Sequence, residues 1–285
     1  MHTRARVLAA VTVGVLALGA ASATAAPKGR KPPRGATTTT WAPAATAAVH
    51  PGVMTYTDGS QCTSNFIYQD GAGNTYIGQA AHCSGTDGNT ATNGCTAHSL
   101  PLGTSVEVDG ASKPGTMVYN SWLAMQKANE KNADVCDYND LALIQLDPAD
   151  VAKVNPSVPT MGGPTGLRTA GLNLGDQVFT YGNSSLRLGI SALSPKTGYS
   201  VGDDGNGWTH SVYTVTPGIP GDSGSGLMDD AGLATGVLST VAIAPLPASN
   251  NFGDLAKELD YAATHGGPSG LHLVNGTEPF TGNLI

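Results

Sequence analysis

The sequence predicts an all-β fold, and two observations carry this prediction. Short apolar or alternating runs recur along the chain between turn signals, and Asp-Gly pairs such as Asp58-Gly59 and Asp204-Gly205 separate them. Many short strands at such spacing are typical of a β-sandwich or a β-barrel. Only 12% of the residues are charged and 40% are hydrophobic, which excludes a coiled coil and wholesale disorder.

Seven runs are expected to form strands. They are Val53–Thr57, Asn65–Tyr68, Thr75–Ile77, Leu141–Leu146, Gln177–Tyr181, Ser211–Val215 and Gly236–Ile243. Two stretches, Ser121–Asn132 and Phe252–His265, have the pattern of helices, and the second has Asn250 or Asn251 as its expected cap. Leu271–Val274 is a further candidate strand.

The first residues of the chain have the pattern of an export signal. Arg4 and Arg6 precede an apolar run from Val7 to Ala20, and an Ala-x-Ala site follows. This order predicts a signal peptide over residues 1–25. Because the run is shorter than the roughly 20 residues that a membrane span needs, we expect cleavage, secretion to the extracellular space and no membrane association afterwards. Residues 26–48, rich in Pro, Thr and Ala, are expected to be a flexible tail or a short pro-segment.

The distribution of charge argues against one class of partner. Of the 14 Lys and Arg residues, six lie in the first 34 positions, and all 21 Asp and Glu residues follow them. The body of the protein is therefore acidic and repels a phosphate backbone, so nucleic acid is not expected to bind.

Four cysteines in an exported chain predict two disulfides, with three possible pairings. The alternative is a zinc site, because His82, Cys83, Cys95 and His98 lie close together in the sequence. Oxidising export favours disulfides, and no paired C-x₂-C spacing is present. We expect neither a metal nor a cofactor.

Three short passages combine residue types that nucleophilic chemistry requires. They are Ala80-Ala81-His82-Cys83, Asn139-Asp140-Leu141-Ala142 and Gly221-Asp222-Ser223-Gly224. A serine hydroxyl is a weak nucleophile until a base takes its proton, and an imidazole base needs a carboxylate to fix its tautomer. Glycines beside the serine let backbone N–H groups approach a developing oxyanion.

The order His, Asp, Ser with these flanks resembles the chymotrypsin-like (trypsin-family) serine endopeptidases, of the bacterial secreted type, over most of residues 49–265. An α/β-hydrolase would run Ser, Asp, His. The resemblance implies two six-stranded antiparallel Greek-key β-barrels with a C-terminal helix. The first barrel would span about residues 49–150 and the second about 165–249, and the helix and tail would span 250–285.

The resemblance also implies the role of each residue. His82 would act as the general base, Asp140 would orient it, and Ser223 would attack a peptide carbonyl to form an acyl-enzyme. The backbone amides of Gly221 and Ser223 would form the oxyanion hole. Three other aspartates, at positions 134, 137 and 147, compete with Asp140, which we prefer because it directly precedes Leu-Ala-Leu-Ile.

The disulfide pairing follows from the same resemblance. Cys83, directly after the base, matches a half-cystine of the family whose partner lies upstream, which implies Cys62–Cys83 and leaves Cys95–Cys136. The family's activating Ile-Val-Gly-Gly motif is missing, so Asp222 needs another cation, and Arg187 is the expected one.

The resemblance locates a substrate pocket as well. Its walls would be formed by Pro217 and Gly218 on one side and by Ser239, Thr240 and Val241 on the other. None of these residues is acidic, so we expect no preference for cleavage after Arg or Lys. His210 is expected in the core or on the surface rather than in the pocket.

Protein or peptide substrates are the expected partners, and the protein is expected to be a monomer. Two alternative functions use the same fold: a catalytically inactive binding module, and an esterase that has the triad but little peptidase activity.

Overall fold

The computed structural model describes residues 39–87, 92–241 and 248–284. Fifteen strands lie in this part of the chain: β1 Met54–Thr57, β2 Ser60–Thr63, β3 Ile67–Gln69, β4 Thr75–Ala80, β5 Ser105–Val108, β6 Gly115–Asn120, β7 Leu141–Gln145, β8 Gly166–Leu167, β9 Gln177–Tyr181, β10 Pro195–Asp204, β11 Thr209–Thr214, β12 Gly226–Asp229, β13 Leu233–Val241, β14 Asn250–Asp254 and β15 His272–Leu273. Three α-helices accompany them: α1 Ser121–Ala128, α2 Ala133–Tyr138 and α3 Leu255–Thr264.

The first seven strands and β15 form an eight-stranded sheet. Its order is β15-β3-β4-β7-β6-β5-β1-β2. Residues 64–66 connect β2, at one end of the sheet, directly to β3, the neighbour of β15 at the other end. The interior is apolar, and its fully buried side chains include Ile77, Met117, Leu141, Leu143 and Ile144.

The second half of the chain forms a closed ring of six antiparallel strands. The order is β12-β9-β10-β11-β14-β13, and β13 pairs again with β12. The short β8 runs parallel to β13 outside the ring. Val178, Val212, Leu227, Leu238 and Phe252 fill the interior. The architecture is mostly β, with two sheets and a C-terminal helix, so the predicted fold class is confirmed.

Both predicted helices form, but with different ends. α1 stops at Ala128 because Asn129 adopts a left-handed conformation with φ 55°. α3 begins at Leu255, and its cap is Asp254, whose side chain accepts from the N–H of Lys257. The expected caps at Asn250 and Asn251 are wrong because residues 250–254 extend the ring as β14 between β11 and β13.

The terminal segments pack against the sheets. The predicted signal peptide lies outside the described residues, and so do residues 26–38 of the expected tail. Residues 39–48 are described, and there the N–H of Ala42 donates to the Val154 carbonyl and the Asn155 side chain donates back to Ala42. At the other end, β15 adds to β3 and Phe280 packs edge-on against Phe179. No helix among the described residues has the length and apolarity to span a bilayer.

Candidate active site

His82 lies on a 3₁₀ turn, Ala81–Ser84, that directly follows β4. The disulfide between Cys62 and Cys83 ties this turn to β2, and a second disulfide joins Cys95 to Cys136. Both are the pairings that the resemblance implied. Because Cys83 is adjacent to His82, the first disulfide fixes the backbone from which the imidazole projects. The imidazole itself is partly open to solvent, with 23% of the side chain exposed.

Asp140 lies immediately before β7, and its buried carboxylate receives three hydrogen bonds. Oδ1 accepts the backbone N–H of His82 at 2.8 Å, and Oδ2 lies 2.6 Å from His82 Nδ1. The Ser239 hydroxyl donates to the same Oδ2 at 2.6 Å. A carboxylate only accepts, so Nδ1 carries the proton and the Nε2 lone pair is left as the basic site.

The pKa of His82 is raised above that of an ordinary histidine. Burial alone would lower it, because burial disfavours the charged imidazolium. The charge of Asp140 and its hydrogen bond to the ring outweigh this effect. The protonated imidazolium of His82 is therefore more stable in this site than that of a histidine in water.

Ser223 lies on the turn between β11 and β12, which packs closely against the first sheet. Its carbonyl accepts the N–H of Thr63 at 2.8 Å. The next residue, Gly224, has φ +87°, and a Cβ there would lie 2.6 Å from the Thr63 carbonyl and 2.7 Å from the Ala80 nitrogen. Only glycine allows this approach, which brings the serine to the strands that carry His82. The Ser223 hydroxyl makes no hydrogen bond with the described residues.

Two backbone amides of this turn point away from the protein's own acceptors. The Pro220 carbonyl accepts from the Ser184 hydroxyl, and the Asp222 carbonyl accepts from the N–H of Ser225. In a trans peptide the N–H points opposite to the C=O, so these bonds set the directions of the amides that follow, on Gly221 and Ser223. Within the described chain neither amide donates a hydrogen bond, so both are available to a negatively charged oxygen.

Asp222 is fully buried and is paired with two cations. Arg187 forms an ion pair with Oδ2, and Lys196 Nζ lies 2.6 Å from the same atom. The N–H groups of Ser184 and Ile219 donate to the carboxylate at 3.2 Å and 3.1 Å. Arg187 is the cation that the sequence analysis expected. Lys196 was missed, although it occupies an inward position of β10, where a lysine needs a partner.

The expected pocket residues separate into two groups. The Ser239 hydroxyl donates to Asp140, so its side chain is engaged there, and the place of its main chain in a pocket wall stays a prediction. Gly218 and Val241 face one another: a Cβ on Gly218 would lie 3.4 Å from Val241 Cγ2 and 3.0 Å from Asn250 Oδ1. Thr240 accepts from the Asn251 side chain. Pro217 is exposed at the rim.

The competing residues lie elsewhere. Asp137 accepts from Asn93, Asp147 pairs with Lys113, and Asp134 accepts from Asn206. The zinc alternative is excluded because Cys83 and Cys95 belong to disulfides and have no thiolate to offer.

His210 lies in the core of the second ring. Its Nδ1 is 2.6 Å from Asp203 and its Nε2 is 3.1 Å from Asp254. Burial works to lower the pKa of His210, but these two carboxylates together raise it to about 9. The raised pKa favours the protonated form of this buried histidine, which is not part of the pocket wall.

Comparisons with known proteins define the fold. No family model and no curated protein matches the chain. Among solved structures, Protease A of Thermobifida fusca is 19% identical over 81% of this chain and all of that chain, with a TM-score of 0.51. A Nocardiopsis protease is 16% identical over 79% of this chain and 98% of its own, with a TM-score of 0.48. The first likeness shows that the chain has the chymotrypsin-like fold.

We predict that Asp222 depends jointly on its two cations. The double substitution Arg187→Met with Lys196→Met leaves a buried carboxylate without a counter-charge, which costs about 3–5 kcal/mol of unfolding free energy. Each single substitution costs less, because one cation remains. Urea unfolding measures the difference, with Lys113→Met as the control, since its exposed ion pair contributes no more than about 1 kcal/mol. A double variant as stable as the parent protein contradicts the prediction.

Proposed function

We propose that this chain is a secreted serine endopeptidase that cleaves peptide bonds through Ser223, His82 and Asp140. One observation carries the proposal: a buried carboxylate is hydrogen-bonded to Nδ1 of a partly exposed imidazole, and the serine turn, which packs against Thr63 and Ala80, offers two amides that have no acceptor among the described residues. The chymotrypsin-like fold is the frame in which this arrangement occurs. Fold alone does not define function, so the argument rests on the side chains.

The proposed reaction follows from the proton positions. His82 Nε2 takes the proton of the Ser223 hydroxyl as Oγ bonds to the substrate's carbonyl carbon. The carbonyl oxygen becomes an oxyanion, which accepts hydrogen bonds from the amides of Gly221 and Ser223. The imidazolium then gives its proton to the leaving amine, the C–N bond breaks, and an acyl-enzyme remains. Water, deprotonated by His82, hydrolyses this ester and releases the acid.

The shape of the pocket supports a preference for small, uncharged side chains. Val241 and Asn250 lie close to the space in front of Gly218, so a bulky side chain would meet them. The Asn250 amide is occupied, because Oδ1 accepts from Gly218 and Nδ2 donates to Thr214. Among the described residues of these walls none is ionisable. Asp222, the nearest carboxylate in sequence, is directed at Arg187 and Lys196 instead.

Export is part of the proposal. The predicted signal peptide over residues 1–25 and two disulfides are both typical of an oxidising, extracytoplasmic compartment. The acidic body makes peptides, rather than nucleic acids, the proposed partners, and no metal or cofactor is needed for the steps above. A monomer suffices, because this chain supplies every group that the proposed reaction uses.

We predict that a fluorophosphonate forms one covalent adduct, on Ser223. The reagent reports an activated serine, because attack requires a base that removes the hydroxyl proton. Ser223→Ala and His82→Ala should each abolish labelling, measured by intact-protein and peptide mass spectrometry. Ser225→Ala, on the same turn, and His98→Ala, which removes a solvent-exposed His–Asp pair, are the matched controls and should leave labelling intact.

Labelling at another residue, or an unmodified Ser223 in the folded protein, would contradict the proposal. An adduct separates a hydrolase from a binding module, but not a peptidase from an esterase. Digestion of a peptide library makes the second distinction, because an esterase leaves the library uncut.

We predict that kcat/KM falls in acid with a midpoint above 6.5. The base must be unprotonated to act, and the Asp140 carboxylate keeps the pKa of His82 above the ordinary histidine value. Asp140→Asn removes that charge, so the midpoint should move to lower pH while kcat drops about 10³- to 10⁴-fold. Rates measured from pH 4 to 9 test both effects. An unchanged midpoint in the variant would refute the pairing.

We predict cleavage after small apolar residues, with Val241 limiting the size of the side chain. Shortening this residue, Val241→Ala, should increase kcat/KM for substrates with leucine at the cleaved position at least about tenfold relative to alanine. Val215→Ala, at an exposed valine that contributes to neither pocket wall, is the control. A library profile dominated by Arg or Lys would show that the pocket has been assigned wrongly.

A further inference from the structure

Glu258 is an acidic residue on the buried face of α3. The other buried residues of this helix are Leu255, Tyr261 and Ala262. Glu258 itself is fully buried, whereas glutamate is almost never found without solvent contact unless it is paired. The steps proposed above do not use this side chain. Its placement therefore needs a separate physical explanation.

The carboxyl group of Glu258 reaches the residue that orients His82. Its Oε1 accepts the backbone N–H of Asp140 at 2.8 Å, although the two residues are 118 positions apart. Gly253 of β14 makes room for this contact, because a Cβ there would lie 2.5 Å from the same Oε1. The Glu258 side chain of α3 thus provides a hydrogen-bond acceptor for the backbone N–H of Asp140.

The surroundings favour the uncharged form of this carboxyl. Burial raises the pKa of Glu258 well above its usual range, and the charges of Asp140 and Asp254 raise it further, against the opposing effect of the Asp140 N–H. Two buried tyrosines, Tyr68 on β3 and Tyr119 on β6, also lie within electrostatic reach of Glu258. Burial raises the pKa of each, so both are neutral at pH 7. A neutral carboxyl accepts at Oε1 as an amide oxygen would.

The Asp140 main chain is held at both of its polar atoms. Its carbonyl accepts the N–H of Ala81 at 2.9 Å, and its N–H is taken by Glu258. Without Glu258 the N–H would be a buried donor with no acceptor, which costs about 1–3 kcal/mol and favours a shift of the backbone. Such a shift would carry the carboxylate with it and disturb the 2.6 Å contact with His82.

We propose that Glu258 is a positioning residue, whose buried side chain holds the Asp140 backbone so that the carboxylate stays in hydrogen-bonding reach of His82. This inference rests on the proposed function for its kinetic consequences. The structural part, the effect of Glu258 on the Asp140–His82 pair, does not need the protein to be a peptidase.

Three variants of the full exported chain test the inference. Glu258→Gln retains a neutral acceptor of the same shape, and Glu258→Leu retains the volume but removes the acceptor. Asp260→Asn, at an exposed position of the same helix, is the matched control. The leucine variant should lose about 10- to 100-fold in kcat with KM unchanged, as expected for a misplaced reacting group. The glutamine and control variants should stay within threefold of the parent kcat.

Two further readouts distinguish positioning from a merely structural role. The acid limb of kcat/KM should not move in Glu258→Gln, because a neutral group is replaced by a neutral one. The proton NMR signal of His82 Nδ1–H, recorded without substrate, should keep its position in Glu258→Gln and should shift or broaden in Glu258→Leu, where the contact with Asp140 loosens.

A leucine variant that melts at a lower temperature, but has the parent's kcat and NMR signal when folded, overturns the inference. So does a glutamine variant that loses tenfold or more in kcat, and this arm decides the question if Glu258→Leu does not fold. If the parent protein cleaves no peptide and takes no fluorophosphonate, the proposed function fails. The NMR comparison then still supports or overturns the positioning role by itself.

Discussion

The buried carboxylate of Asp140 is the interaction on which the rest of the site depends. A charge taken out of water is costly unless hydrogen bonds replace its hydration. Here the replacement comes from His82 in the first sheet and from Ser239 in the second, while Glu258 of α3 holds the Asp140 main chain. The carboxylate is satisfied only when the two sheets pack in one arrangement, and the Asp140 N–H is satisfied only when α3 packs there as well. The requirement that stabilises the anion is thus also the requirement that orients the imidazole.

Asp222, next to Ser223, is a second buried carboxylate whose lost hydration is replaced by partners at fixed positions. Its carboxylate forms ion pairs with Arg187 and Lys196, which are both buried. It also accepts hydrogen bonds from the backbone N–H groups of Ser184 and Ile219. These contacts fix the backbone around Ser223 without a cation supplied by a chain terminus. Rigid placement matters because amides help a developing negative charge only if they already point at it. Two buried anions therefore fix the backbone on both sides of the proposed site.

The sequence revealed the strands whose burial is simplest. The Leu-Ala-Leu-Ile run of β7 is buried at each of its apolar positions, so the sequence pattern alone predicts a buried strand. By contrast, β10 mixes glycine, charged and aromatic residues because one face is exposed and the other carries Lys196, and no run predicted it. The Asn-Asn-Phe-Gly-Asp segment was assigned to the helix, but pairing with β11 and β13 makes it a strand. Neighbours that are distant in sequence overrode the local preference.

The sequence by itself determined which residue types are available for chemistry and in which order. The residues that flank His82, Asp140 and Ser223 form local patterns, which can be recognised without a structure. It also indicated that Asp222 needs a cation, since a buried charge must be compensated. Tertiary structure alone decided which groups meet that need. Lys196 lies 26 positions from Asp222, and Ser239 and Glu258 lie 99 and 118 positions from Asp140, so these contacts exist only where the two sheets and the helix close on each other. Burial creates the demand for a partner, and only the packed fold determines which residue fulfils it.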